Sequence, residues 1–277
     1  MKVAFQGELG AFSQQAILQF LGAKARPIPC ERFDQVFEAL ARRKVDAAAI
    51  PIENTLHGSI HENYDLLLRH DFTVAAETNV RVVHNLIAPP GVPFADVRTV
   101  YSHPVALNQC RDFFAKHKRI AQKQFYDTAG SVKMIMQERP HGGAAIASSL
   151  AAEIYRARIL KKGIEDDPQN FTRFFLLEHS GAKPRPPAGS SRKPWKTSLV
   201  FSMDNTPGAL FRSLAALALR DLNLVKVESR PLRGKPWEYM FYLDLIGRQD
   251  EDAVRNALRH LAEMADFLRV LGSYRAA

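Results

Sequence analysis

Ala47-Ala48-Ala49-Ile50-Pro51-Ile52-Glu53-Asn54-Thr55-Leu56-His57-Gly58-Ser59 decides how the first part of the chain is read. Its opening apolar run is too short for a helix and is bounded by turn residues, which predicts a strand buried on both faces, as in parallel sheets. Just before it, residues 34–43 put Val36, Phe37 and Leu40 on one helical face, and residues 60–69 after it predict another helix. Upstream, 3–6 predicts a strand, Gly7-Glu8-Leu9-Gly10 a turn, and 13–21 a helix with Ala16, Ile17, Phe20 and Leu21 inward. Strand and helix alternate, so an α/β layer architecture is expected. Open α/β sheets bind ligands outside the carboxyl ends of their strands, and 51–59 is a polar loop at such an end.

Residues 72–88 supply extended chain able to cross to a second lobe, followed by a Pro-Pro-Gly turn at 89–91. There, 97–101 predicts a strand, and Ser102-His103-Pro104 opens a helix through about 116 with proline in a favourable first-turn position. Strand 120–126, a helix to 138 capped by Asp127-Thr128, and the apolar strand 144–147 with Ser148-Ser149 opening the next helix continue the alternation. Asn170-Phe171-Thr172-Arg173-Phe174 follows the acidic turn Glu165-Asp166-Asp167-Pro168 and precedes Phe175-Leu176-Leu177, so it predicts a strand over 171–178 entered from a loop. Strand alternation puts Thr172 and Phe174 on one face and Phe171, Arg173 and Phe175 on the other. Prolines 184, 186, 187 and 194 mark 181–196 as a semi-rigid linker between a two-lobed domain, 1–180, and a second domain, 197–277. Strand 197–203, helix 208–221, strands 223–230 and 237–246, helix 250–265 and strand 267–274 give the β-α-β-β-α-β order of a ferredoxin-like fold.

The 277 residues are 46% hydrophobic and 24% charged, ordinary for a globular enzyme. No apolar run approaches the roughly 18 to 20 residues of a membrane span, and the start has no charged segment leading into an apolar secretory core, so a cytoplasmic protein is expected. Cys30 and Cys110 lie far apart without a Cys-x-x-Cys pair, which argues against a zinc site or disulfide framework. His57 and His61 have the spacing of helical metal ligands, but no third ligand joins them, so neither a metal nor a cofactor is assigned. Net charge +9 raises the question of nucleic acid. Lys183, Arg185, Arg192, Lys193 and Lys196 concentrate five of those charges in the expected linker, and no basic helix or finger motif accompanies them, so neither nucleic acid nor membrane is expected as a partner.

Polar, helix-opening loops recur after the strands, and helix N-termini with small hydroxyl residues favour carboxylates, which suggests a small anionic ligand. Gly7-x-x-Gly10-Ala11-Phe12-Ser13, Pro51-Ile52-Glu53-Asn54 with Gly58-Ser59, Tyr101-Ser102-His103-Pro104, Asp127-Thr128-Ala129 and Asn170-x-Thr172-Arg173-Phe174 stand in one order along the chain. That set resembles prephenate dehydratase. The resemblance implies two lobes of the periplasmic-binding-protein type, with prephenate in the cleft losing water and carbon dioxide to give phenylpyruvate for phenylalanine synthesis. It implies Thr172 as the catalytic residue and Ser13, Asn54, Thr55, Gly58, Ser59, Ser102, His103, Thr128, Asn170, Arg173 and Phe174 as substrate-binding. A threonine hydroxyl is too weak an acid to ionise fully, so Thr172 is expected to act as an oriented donor or relay. Thr55 stands where a serine is common and Val105 where a glutamine is common. Alternation leaves open whether Arg173 touches substrate or braces the lobes.

In the second domain, Gly208-Ala209-Leu210 and Glu228-Ser229-Arg230-Pro231 resemble the phenylalanine-sensing motifs of an ACT domain. An allosteric phenylalanine site is therefore expected at Asn205, Gly208, Ala209, Leu210, Glu228, Ser229 and Arg230. The edge strands of such a sheet need cover, so a homodimer or homotetramer through the C-terminal sheets is expected. Arogenate as substrate, or a non-catalytic amino-acid sensor on the same fold, are the alternatives.

Overall fold

A computed structural model describes residues 1–185, 192–232 and 237–277. It divides into two compact units, residues 1–70 with 78–176, and residues 71–77 with 177–277. In the first unit β1 (Lys2–Gln6) turns through Gly7 and Gly10, at φ 112° and 93°, into α1 (Phe12–Leu21). β2 (Arg26–Cys30) then pairs parallel with β1, and α2 (Phe33–Ala41) leads to β3 (Ala47–Asn54), parallel on the other side of β1. β2 was not expected. Its Pro27 and Pro29, two residues apart, lack N–H groups on the same side, which an edge strand tolerates. The two-residue strand β4 (Gly58–Ser59) folds back onto β3, with Asn54 opposite Gly58, so 55–57 is a tight hairpin tip rather than an open loop. α3 (His61–Arg69) and β5 (Phe72–Arg81) follow.

The chain then enters the second lobe with β6 (Asn85–Ala88) and β7 (Thr99–Ser102). The helix expected over 104–116 is two helices, α4 (Pro104–Asn108) and α5 (Arg111–Lys116). A distant side chain causes the break: the Asp166 carboxylate accepts from the backbone N–H of Arg111 and Asp112, each at 2.9 Å, and so starts a new helix. β8 (Ala121–Gln124), α6 (Thr128–Glu138), β9 (Gly143–Ala147), α7 (Ser149–Ile154) and β10 (Arg158–Lys161) complete this lobe before the chain returns as β11 (Phe171–His179).

The first sheet runs β2-β1-β3-β11-β5 with β4 beside β3, and the second β10-β6-β9-β7-β8. Each has its own core, around Phe5, Ile17, Phe37 and Leu67 in one lobe and Val100, Phe113, Phe114 and Ile146 in the other. The crossings between lobes, 82–84 outward and 162–170 returning, are tied together by Val82 N–H to Asn170 O at 2.8 Å and Ile164 N–H to His84 O at 2.9 Å. The lobes also touch where Ser148 Oγ donates to Gly10 O at 2.6 Å. A Cβ on Gly10 would lie 2.5 Å from Ala151 Cα, so only glycine permits this approach.

The second unit contains β12 (Trp195–Ser202), α8 (Ala209–Ala218), β13 (Leu224–Pro231), β14 (Tyr239–Ile246), α9 (Asp252–Met264) and β15 (Phe267–Arg275). Its antiparallel sheet runs β13-β14-β12-β15, the ferredoxin-like order, around Leu199, Phe201, Leu217, Leu243, Val254 and Leu261. Lys196 pairs with the buried Glu77 at 2.6 Å, so the end of the expected linker is already part of this unit. The middle of that linker, 186–191, lies outside the described residues.

Candidate active site

The return crossing ends at Asn170, and the pleat of β11 sends its next side chains to opposite sides. Thr172 lines a cavity of about 670 Å³ with Asn54, His57, His84, His103 and Gln109 among its polar walls and Phe12, Phe33 and Val82 among its apolar ones. Arg173 instead lines a second cavity of about 580 Å³ with Glu53, Thr55, Asn79 and Phe171. Its guanidinium lies 3.8 Å from the Glu53 carboxylate and stacks over Phe175, on the same strand face, at 4.8 Å.

Asn54, the last residue of β3, organises the first cavity. Its Oδ1 accepts the backbone N–H groups of Leu56 and His57 at 3.0 and 3.1 Å, and since these can only donate, the amide orientation is determined. Nδ2 therefore faces Asn170 Oδ1 at 2.8 Å, Thr172 Oγ1 at 3.0 Å and, sharing its two hydrogens among three acceptors, Phe171 O at 3.1 Å. Thr172 Oγ1 thus accepts from Asn54, and its own proton is left to point elsewhere.

Three histidines join these walls. The His84 ring is buried, with Nε2 2.7 Å from Gln109 Oε1, and burial pushes its pKa down against the smaller opposing effects of Gln109 and Glu165. His103 caps α4 by accepting Val105 N–H on Nδ1 at 3.3 Å, and burial likewise lowers its pKa. His57 sits at the hairpin tip with Nδ1 3.2 Å from Gln109 Nε2 across the cleft. Burial thus disfavours the cationic forms of His84 and His103.

Of the expected substrate-binding residues, Asn54, Gly58, Ser59, His103 and Thr128 line this cavity together with Thr172. The others do not. Thr55 turns to the second cavity, where its Oγ1 donates to Gln169 O and accepts Phe171 N–H, both at 2.9 Å, and so pins the hairpin to the start of β11. Ser102 is buried and donates to Ile146 O at 2.7 Å, joining β7 to β9. Asn170 is buried beneath Asn54, Phe174 is in the core, and Ser13 is buried at the start of α1. The helix-opening loops also keep less anion-binding capacity than expected, because Asp127 already accepts Gly130 N–H and Ser148 accepts Ala151 N–H. His57, His84 and Gln109 were not assigned to the site from the sequence. Their juxtaposition arises only when the crossing 82–84 meets α4 and the hairpin, and no local pattern signals that. Val105 lines the cavity, partly exposed, where the family commonly has glutamine.

In the second unit, Asn205, Gly208, Ala209 and Leu210 line a cavity of about 280 Å³ with Phe211, Tyr239 and Phe241. Glu228, Ser229 and Arg230 lie outside it on the edge strand β13, although Ser229 is the register partner of Phe241. Among the described residues, no group of three or more His, Cys, Asp or Glu is placed to hold a metal, and no helix is long and apolar enough to cross a membrane.

Two α/β lobes enclosing a largely apolar cleft with an oriented hydroxyl at Thr172, followed by a ferredoxin-like unit, define a cleft enzyme with an appended small-molecule-sensing type of fold. The family model for prephenate dehydratase matches residues 3–182, and that for the ACT domain residues 197–263. Arogenate dehydratase/prephenate dehydratase 2, chloroplastic, of Arabidopsis thaliana is 46% identical over 287 residues, covering 99% of this chain and 72% of that protein. The prephenate dehydratase of Arthrobacter aurescens in complex with L-Phe superposes with TM-score 0.89 at 31% identity, covering 100% of this chain and 90% of that one. A structure described as GqqA, a novel type of quorum quenching acylase, superposes with TM-score 0.90 at 31% identity, covering 100% and 98%. The chain belongs to the prephenate dehydratase family, and is a carbon–oxygen lyase with dehydratase activity in phenylalanine biosynthesis.

Proposed function

We propose that the cavity at the start of β11 is where prephenate loses water and carbon dioxide, with Thr172 as the hydrogen-bond donor to the departing hydroxyl. The observation that carries this is the Asn54 amide donating to Thr172 Oγ1 at 3.0 Å. With its acceptor side engaged, the hydroxyl has its proton free for the cavity, and donation from Asn54 strengthens it as a donor. In the reaction the C–C pair of the ring carboxylate moves into the ring as carbon dioxide leaves, and the C–O pair departs with the hydroxyl. One proton taken up in total makes that leaving group water, so the substrate dianion yields the phenylpyruvate monoanion. A cation gripping the ring carboxylate would oppose its departure, and Arg173 is turned to the other side of β11. An acylase reaction at Thr172 would instead need a general base beside the hydroxyl. Its neighbour here is an amide, which cannot serve. Turnover of purified protein on prephenate and on arogenate, each with and without Thr172→Ala, tests the assignment. Faster turnover of arogenate would make the amino form the true substrate, as in the names of the Arabidopsis and Petunia relatives.

Residues 1–180 carry the catalytic role in this proposal, and 197–277 bind phenylalanine as a feedback effector. Support comes from the loop at Asn205 and Gly208, which opens α8 around a small cavity with aromatic walls, and from the L-Phe bound by the Arthrobacter relative. The exposed Val225 and Val227 on edge strand β13 support association of two copies through these sheets.

A further inference from the structure

We propose that His57 is a second hydrogen-bond donor to the departing hydroxyl, its proton placed on Nε2 rather than Nδ1 by Gln109, which His84 orients. The inference rests on the reading of this cavity as the dehydration site. It begins at His84, which is only 2% exposed. Its Nδ1 is buried without a partner among the described residues, while Nε2 lies 2.7 Å from Gln109 Oε1. A proton on Nδ1 would bury an N–H with no acceptor, so the proton resides on Nε2 and donates to Oε1. That sets the Gln109 amide, whose Nε2 then donates to His57 Nδ1 at 3.2 Å. Nδ1 of His57 also lies 3.2 Å from Asn54 Oδ1, but that oxygen already accepts two backbone N–H groups.

His57 Nδ1 therefore keeps its lone pair and Nε2 carries the proton. Nε2 has no partner among the described residues, and His57 lines the same cavity as Thr172. A histidine on an exposed hairpin tip would otherwise exchange freely between tautomers. Here Gln109 from the opposite lobe, set by His84 on the crossing, selects one. A hydroxyl leaving with an electron pair gains negative charge on an oxygen able to accept from two donors, Thr172 Oγ1 and His57 Nε2, in the manner of an oxyanion hole.

His57→Phe keeps the ring and removes the donor, and kcat is expected to fall about a hundredfold with KM nearly unchanged. His57→Gln restores an N–H at similar reach and should recover part of that loss. In spectra of ¹⁵N-histidine-labelled wild type, His57 and His84 should both show an unprotonated Nδ1, and Gln109→Leu should let His57 mix tautomers while His84→Phe loosens the same restraint. Wild-type kcat in His57→Phe, or a protonated Nδ1 on His57 in the neutral wild-type protein, overturns the proposal. Thr172→Ala in the same assay separates the two levels: if it too retains full turnover, the site itself is misplaced and the role of His57 falls with it.

Discussion

Asn54 Nδ2 donates to Thr172 Oγ1 at 3.0 Å, linking the end of β3 to the start of β11. The direction of this bond makes a test that residue deletion alone does not. Asn54→Asp keeps the shape but replaces the donor with an acceptor, so the Thr172 hydroxyl would turn its proton toward the carboxylate and away from the cavity. Turnover should then fall nearly as far as in Thr172→Ala, about two to four orders of magnitude, with the folded state retained. Thr172→Ser should keep part of the activity. Steady-state kinetics of the three variants check this, and an active Asn54→Asp protein would show that the bond runs the other way or does not matter.

Gly10 and Gly22 both have positive φ, at 93° and 67°, but only Gly10 has a crowded Cβ position. Gly22→Ala meets no neighbour but must adopt φ 67°, ψ −167°, a region essentially confined to glycine, so the backbone term alone should cost about 1–3 kcal/mol. Gly10→Ala adds a Cβ 2.5 Å from Ala151 Cα, and overpacking contributes a further 1 to 3 kcal/mol or so. Calorimetry should show Tm lowered roughly 5–15 °C for Gly10→Ala and by a smaller amount for Gly22→Ala, which lacks the crowding. Equal shifts would mean that the lobes yield freely at this contact.

Acid should weaken the first unit through His84. Burial holds its folded pKa below the ordinary value near 6.5, so as pH falls the unfolded chain takes up the proton first. Its contribution to stability is thus fully present above about pH 6.5 and is lost as pH drops toward the folded value. His103 shifts in the same direction, also through burial. Thermal denaturation between pH 8 and pH 5 should show Tm declining on the acid side, with a shallower decline in His84→Gln. An equal slope in that variant would assign the acid sensitivity to other groups.

The α/β order, the two lobes and the ferredoxin-like unit were legible because apolar periodicity and capping residues are local signals. β2 was not, since Pro27 and Pro29 read as strand breakers unless the strand is known to lie at an edge. The split between α4 and α5 depends on Asp166, more than fifty residues away in the chain, and no window around Gln109 contains it. Alternation along β11 correctly separated Thr172 from Arg173. It could not say that Phe174, on the Thr172 face, would be in the core beyond the cavity. Thr55 illustrates a subtler limit: a hydroxyl in a motif loop reads as a ligand group, yet both of its hydrogen bonds serve to fasten that loop to β11.

Gly208 sets up the remaining test. It precedes α8 at φ 77°, in the left-handed region, and lines the small cavity with Asn205 and Leu210. A valine there would be strained in the backbone and would crowd Arg212, whose Nη1 lies 3.2 Å from the Cβ position. Arg212 has room to move, so the chief consequence is a displaced 204–208 loop rather than a lost fold. Effector coupling is typically worth about 1–3 kcal/mol, so the phenylalanine concentration for half inhibition should rise tenfold or more in Gly208→Val while turnover without phenylalanine stays close to wild type. Ser229→Ala probes the other half of the expected site, since Ser229 is paired in register with Phe241 on the cavity wall. Weaker inhibition in both variants would tie the edge strand and the loop to one effector site. Unchanged inhibition in both would place phenylalanine elsewhere, and a shift in Gly208→Val alone would confine the site to the α8 loop.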